Sequence, residues 1–348
     1  MRFFQLALVV LSTLLLGIQC NNDKRSDTLV LPGLLDSVRV VVDRDGVPHL
    51  YASNDLDLGR AAGYVHARDR FFQMDLTRRE VSGDRAEVLG PAFVGSDIQN
   101  RTIGLRRAAE RSEAALTARE REVLQAYAEG VNAYILNHPL PPEYAALELT
   151  QVRPWDVVDT LAIGKAIAAS LSLDIDVGLV EKLEEYVDAG AGGGYDGEAL
   201  LFQDVLRSAP MDPASTVPDA TDDMPFDVVK RKPVDREFLA RVAPLSRGYA
   251  KQIADNQRLA MALPLARREQ QIGSNEWGVA ASSSASGNPI LANDPHLSLN
   301  MPSTFYEWHL HVADDPEAGP MNVSGVGFPG APGVILGQNE RISWGATT

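Results

Sequence analysis

Hydrophobic and polar positions change period several times along this chain, and each change marks an element. Val38, Val40 and Val42 alternate with Arg39 and Val41 in a largely apolar run, the two-residue period of a strand. Asp45-Gly46 is a turn signal, and Val47 to Tyr51 returns as the second strand of a hairpin. The period then lengthens. Leu58, Ala61, Ala62, Val65, Phe72 and Leu76 fall near one face of a helix. A second helix carries stronger marks. Thr117 and Glu120 form a capping box, Val123, Leu124, Tyr127, Val131, Tyr134 and Ile135 make the apolar stripe, and Pro139 follows the end. Asp156 to Ser170 and Gly178 to Val187 read as further helices, the latter running into the glycine-rich stretch 190–194.

Residues 209–225 lose this patterning. Pro, Asp, Ser and Thr dominate there, which reads as a linker. From Val228 to Arg268 the chain is basic and partly helical, with Lys230, Arg231, Lys232, Arg236, Arg241, Arg247 and Lys251. Such a reversal of sign in an acidic protein suggests a piece that docks on the chain's own surface; an ordinary solvated helix pair is the alternative. After Ser274 the pattern turns to β. Trp277 to Ala281 is a short strand, Ser282 to Pro289 is turn-rich, and Ile290 to Asn293 returns. Ser274 then begins a sheet edge, and His296 comes back near it. Trp277 is expected in the core, and Asp294 at the cap of a turn. No internal repeat is seen.

Composition narrows the classes. A hydrophobic content of 45% suits a globular protein with a sizeable core, and the net charge of −15 disfavours a nucleic-acid partner. The first residues form a targeting segment: Arg2 is the positive start, and Phe3 to Ile18 is uncharged and short for a membrane span. The sole cysteine, Cys20, stands where this run ends. Its position fits a bacterial lipoprotein signal, with Gln19 departing from the small residue usual there. Lipidation at Cys20 and plain secretion both remain open, so the expected location is the periplasm or a membrane-anchored lipoprotein. Without Cys20 the mature chain has no internal disulfide.

The candidate chemistry centres on Gly273-Ser274-Asn275-Glu276-Trp277. If the bond before Ser274 is cut, the new α-amino group lies beside the hydroxyl and can serve as its base. Its ordinary pKa of about 7.7–8.0 leaves part of it neutral near neutral pH. The bland alternative is that Ser274-Asn275 is a turn. His309 and His311 are neighbours on one strand face, without a third ligand at metal-like spacing.

Four separated segments carry a family resemblance. They are Arg44 to His49, Gly63 to Asp75, the run from Gly273 through Asn293-Asp294-Pro295-His296, and Gly337-Gln338-Asn339-Glu340-Arg341-Ile342-Ser343-Trp344-Gly345. From about Val38 to Thr348 the chain resembles precursors of the penicillin acylase family of N-terminal-nucleophile amidohydrolases. The resemblance implies an α+β fold, the four-layer αββα sandwich, incomplete in this fragment. It divides the chain into a signal peptide (1–20), a mostly helical first chain (21–208), a linker and excised spacer (209–273), and the start of a second chain (274–348). The two processed chains would stay associated. Nothing at Thr348 reads as a domain end.

The resemblance also assigns roles. Ser274 is the nucleophile, both for cleavage after Gly273 and for attack on a small-molecule amide. Asn275 orients the new terminus. His296 stands where penicillin G acylases carry glutamine and where cephalosporin and acyl-homoserine-lactone acylases carry histidine; its ring is expected to bond the amine or the nucleophile. The backbone N–H of Thr348 is one oxyanion donor, and a downstream asparagine is the other. Leu297 and Leu336 stand where aromatic residues hold a phenylacetyl group, which suits aliphatic chains. Calcium is implied as a cofactor, with Asp174, beside Asp176, as a ligand. The reading is an acylase cleaving a linear amide; the rivals are a non-catalytic envelope lipoprotein on the same scaffold and an inactive fragment.

Overall fold

The computed structural model describes residues 28–170, 175–204, 235–261, 273–297, 300–313, 315 and 319–347. The chain divides into two units, Met1–Gly33 and Leu34–Thr348, and the architecture below is that of the second. Its described helices are α1 (Asp55–Ser82), α2 (Arg85–Leu89), α3 (Val94–Ile103), α4 (Leu105–Ala114), α5 (Ala118–Asn137), α6 (Pro142–Ala146), α7 (Val157–Ser170), α8 (Ile175–Gly193), α9 (Gly197–Asp204) and α10 (Arg236–Met261). Its strands are β1 (Arg39–Val42), β2 (Pro48–Ala52), β3 (Gly273–Val279), β4 (Ile290–His296), β5 (Tyr306–Val312), β6 (Met321–Gly327), β7 (Leu336–Gln338) and β8 (Ser343–Trp344).

Local signals explain where the long helices begin. The Asn54 side chain accepts from the N–H of Asp57 to cap α1, and Asp57 in turn accepts the N–H groups of Leu35 and Asp36 at 2.8 Å. Helix α5 opens with the expected reciprocal capping box between Thr117 and Glu120. The two helices then cross backbone against backbone. A Cβ added at Gly63 would lie 2.0 Å from the Tyr127 carbonyl oxygen, and one at Gly130 1.9 Å from that of Arg60. Only glycine permits this approach, because any side chain would force the axes apart.

Six strands form one sheet in the order β1-β2-β5-β6-β7-β8. All neighbours are antiparallel except β2 and β5, which run parallel with His49 opposite His309 and Tyr51 opposite His311. Alternation sorts the two central strands cleanly. Leu50, Ala52, Tyr306, Trp308, Leu310 and Val312 are buried in one core with Ala61, Ala62, Val65 and Phe71 of α1. The histidines face the other way. Strand β1 is an edge whose four residues are all exposed, so its apolar run is not a core strand.

Beneath α1 lies a buried ionic network. The Arg78 guanidinium bonds Asp75 at 2.6 Å and Asp159 at 3.1 Å, and donates to the carbonyls of Arg153 and Pro154. Tyr144 donates to Asp75 at 2.9 Å. Every buried charge here has partners, the condition under which burial is tolerated. Helix α8 packs against both α9 and α10, and Arg247 of the basic segment pairs with Glu184 of α8.

The observed class is mixed helix and sheet, as expected. The described residues build helices against one face of a six-stranded sheet, plus a separate two-stranded ribbon of β3 and β4. Two local expectations are corrected. Trp277 is 53% exposed rather than in the core, because β3 pairs with β4 alone and the ring sits on the ribbon's outer face. Asp294 lies inside β4 rather than at a turn, since the strand runs on to His296.

Candidate active site

The ribbon sets the geometry around Ser274. In its antiparallel register Gly273 faces His296, Ser274 faces Pro295, Asn275 faces Asp294 and Glu276 faces Asn293. Paired residues share a face, and successive residues alternate. Ser274, Glu276, Asn293 and Pro295 therefore lie on one face, and Asn275, Trp277, Asp294 and His296 on the other.

That division separates two residues expected to meet. His296 bonds on its own face: Nε2 lies 3.3 Å from Asn275 Nδ2 and 3.1 Å from Asp294 Oδ2. One nitrogen cannot serve both. Protonated, it donates to Asp294; bare, it accepts from Asn275. Alternation directs the Ser274 side chain away from this group. His296 thus bonds Asn275, which follows Ser274, from the face opposite the Ser274 side chain in this continuous chain.

The other face reaches the end of the six-stranded sheet. Thr347 Oγ1 donates to the Ser274 carbonyl at 2.7 Å. Asn293 Nδ2 donates to the carbonyls of Asn275 and Ala346 at 3.1 and 3.0 Å, and Asn293 Oδ1 accepts the Ala346 N–H at 3.3 Å. These contacts bind the ribbon to the segment after β8. Trp344 anchors that segment by donating from Nε1 to the Ile335 carbonyl at 2.9 Å.

Compared with known proteins, residues 37–348 match the penicillin amidase family. The chain belongs to the penicillin amidase family. It is 31% identical over 335 residues to the penicillin acylase 2 proenzyme of Pseudomonas sp. strain SE83, covering 92% of this chain and 37% of that protein. It is 31% identical over 323 residues to an acyl-homoserine lactone acylase of Pseudomonas aeruginosa, covering 91% and 34%. With penicillin G acylase of Escherichia coli the figures are 28% over 350 residues, 91% and 40%. Among solved structures, a thermostable penicillin G acylase from Alcaligenes faecalis matches with 31% identity and a TM-score of 0.45, over 53% of this chain and 98% of that one. The chain thus spans little more than a third of the length of these curated relatives.

Other expected residues of this penicillin amidase chain fall at separate points. Half-buried Leu297 follows β4, its N–H bonded to the Pro295 carbonyl at 3.1 Å; Leu336 opens β7 opposite Val326. Leu297 thus lies just past the ribbon, and Leu336 within the six-stranded sheet. Cys20, Asp174 and Thr348 lie outside the described residues. Among the described residues no group of three His, Cys, Asp or Glu side chains could hold a metal ion.

The sequence missed three contributors: Asn293, Gly345 and Thr347. Asn293 stands in one of the segments carrying the resemblance, with no role assigned to it there. It also missed His49, which parallel pairing brings to His309 with Nδ1 atoms 3.2 Å apart. His309 Nε2 bonds Asn322 Oδ1 at 2.7 Å and His49 Nε2 bonds Asp43 Oδ2 at 3.3 Å. A cavity of about 470 Å³ lies elsewhere, in the helical body, lined by Arg78, Arg79, Glu87 and Arg153 among others. Its arginines are already paired with carboxylates, so it offers no better candidate than the ribbon.

Proposed function

We propose that the full-length protein is an acylase that hydrolyses a linear amide between an acyl group and an amine, through Ser274 exposed as an N-terminal residue. One observation carries this reading. A serine preceded by glycine opens a paired strand, and its carbonyl and that of its neighbour are held by Thr347 and Asn293. Membership of the family and the names of its relatives, penicillin acylases and acyl-homoserine lactone acylases, support the same class.

In the precursor the Ser274 hydroxyl attacks the Gly273 carbonyl. The peptide C–N bond breaks as the ester C–O bond forms, and the nitrogen takes the hydroxyl proton. That step frees the Ser274 amine, and water then hydrolyses the ester, releasing the Gly273 carboxylate and restoring the Ser274 hydroxyl. In turnover that amine accepts the hydroxyl proton as Oγ attacks the substrate carbonyl, and returns it to the leaving amine. Water resolves the acyl-enzyme by the same route. The backbone N–H of Thr348 would donate to the oxyanion.

The chain division follows: 21–208 as first chain, 209–273 linker and spacer, and Ser274 onward as second chain. Support for lasting association of the two comes from the β2–β5 pairing and from ties such as Tyr306 to Asp69 and Asp55 to Asp315. Export by residues 1–20, with Cys20 as the lipid site or a discarded residue, completes the reading. Leu297 and Leu336 favour aliphatic acyl groups, graded by about 1–3 kcal/mol per methylene. Calcium held by Asp174 stays part of the proposal for the longer protein.

Expression of the full-length precursor, with N-terminal sequencing of the large product, tests this. We expect a chain beginning at Ser274, and an uncut, inactive protein for Ser274→Ala. A terminus elsewhere, or cleavage that survives the substitution, would sink the mechanism.

A further inference from the structure

Asn293 uses its whole amide group to join two segments that the sequence separates. Both Nδ2 hydrogens are spent, on the carbonyls of Asn275 and Ala346, and Oδ1 accepts the Ala346 N–H. The two bonds to Ala346 copy what a neighbouring strand would make, just beyond Trp344, where β8 ends. The approach is close enough to constrain the chain beside it. A Cβ added at Gly345 would lie 2.6 Å from Asn293 Cγ and 2.8 Å from its Oδ1. Asn293 is half-buried on the face that carries Ser274.

We propose that Asn293 is a positioning residue for the acyl-transfer site. It fixes segment 345–347 against the nucleophile's strand, and so sets where that segment's backbone stands relative to the substrate carbonyl attacked by Ser274. The proposal rests on the reading of Ser274 as the nucleophile. Its physical basis is the tolerance of such sites: a donor displaced by about 1 Å costs on the order of 10²-fold in rate. Two bonds to one residue fix both position and orientation, which a single bond would not.

The test uses the full-length precursor with Asn293→Ala and Asn293→Asp. Processing is followed first, and kcat and KM are then measured per mole of chain beginning at Ser274. For Asn293→Ala we expect slower processing and kcat lower by about 10²-fold with KM little changed. Asn293→Asp keeps the acceptor for Ala346 N–H but loses both donors. Its rate relative to wild type should rise as pH falls through the carboxylate range, because the protonated acid regains one donor. A merely structural role would reduce the yield of active chain and leave kcat per mole and the pH ratio unmoved. If the alanine variant fails to process, the aspartate ratio decides. Wild-type kcat per mole in Asn293→Ala, or a flat ratio in Asn293→Asp, overturns this proposal alone; a wild-type product that does not begin at Ser274 overturns the nucleophile reading with it.

Discussion

The helical body around Arg78 and the ribbon around Ser274 use polar groups in opposite ways. In the body, charges are sealed. Arg78 and Asp159 have almost no exposed side chain, and Arg78 meets two carboxylates and two carbonyls. In the ribbon, His296 and Asp294 are 45% and 63% exposed, and their bond is correspondingly cheap to break. The body's polar groups are needed for folding, because each is costly to leave unpaired. In the ribbon, Asn293 and Thr347 hold backbone beside Ser274, and little buried energy hangs on these exposed or half-buried groups. Sealed charges and the proposed chemistry therefore reside in different parts of one unit.

Three measurements press on that contrast. The largest effect should come from Arg78→Ala, which removes the buried guanidinium bonded to both carboxylates and leaves Asp75 to Arg79 and Tyr144 and Asp159 to Arg106 and Arg153. Urea unfolding should show a loss of about 3–5 kcal/mol. A loss below about 1 kcal/mol would mean the network is solvated and the contrast false.

A smaller effect should come from acid. His66 is fully buried, stacked on Trp308 with ring centroids 4.1 Å apart, and its Nδ1 lies 2.7 Å from the Tyr127 hydroxyl. Burial lowers its pKa from 6.5 to about 3, with Asp69 opposing and Arg70 assisting. The sign follows from linkage. Below 6.5 the unfolded chain binds a proton that the folded chain refuses until about 3, so stability falls as pH falls through that window. Each pH unit costs about 1.4 kcal/mol, so the loss between pH 7 and pH 5 should be about 2 kcal/mol. Asp69 acts in a lower window. Burial raises its pKa, but Arg68 and Tyr306 outweigh this, so its stabilisation is lost only as pH falls below the ordinary carboxylate value. Equilibrium unfolding across this range, with His66→Gln as control, separates the two. A wild-type profile flat from pH 7 to 5 would refute the buried neutral imidazole.

The smallest effect belongs to the ribbon. Trp277→Ser removes a large ring, yet the ring is exposed, and unfolding of this chain should shift by no more than about 0.5 kcal/mol. A loss of 2 kcal/mol or more, roughly that of burying such a side chain, would show that the outer face is packed after all.

What the sequence disclosed divides along the same line. The Thr117–Glu120 box, the β1–β2 turn at Asp45-Gly46 and the return of His296 beside Gly273 are local events, signalled by residues a few positions apart or by one short hairpin. The parallel pairing of β2 with β5 is not local. It joins His49 to His309 across 260 residues, and no period or cap announces a partner at that distance. The helix crossing at Gly63 and Gly130 was hidden because a glycine in a helix looks the same whether it weakens the helix or admits a neighbour. Asn293 was hidden for a related reason: its value lies in the backbone it reaches, not in its own residue type. Trp277 misled because an aromatic in a strand is usually covered, and coverage is a property of the whole sheet.

The β2–β5 seam changes character if the chain is cut after Gly273. Before the cut, the two strands are tethered and find each other as one molecule, at an effective concentration in the millimolar range for a short flexible tether and lower for a longer one. After it, the same hydrogen bonds and the same Leu50–Leu310 register become a contact between two molecules. Native protein loses nothing by this, since the interface is already formed. Refolding does: the cut protein should recover at a rate that rises with its concentration, while the uncut precursor recovers at a rate that does not. Such a cleavage would act as a one-way latch on assembly, giving up the tether only after it has brought the strands together.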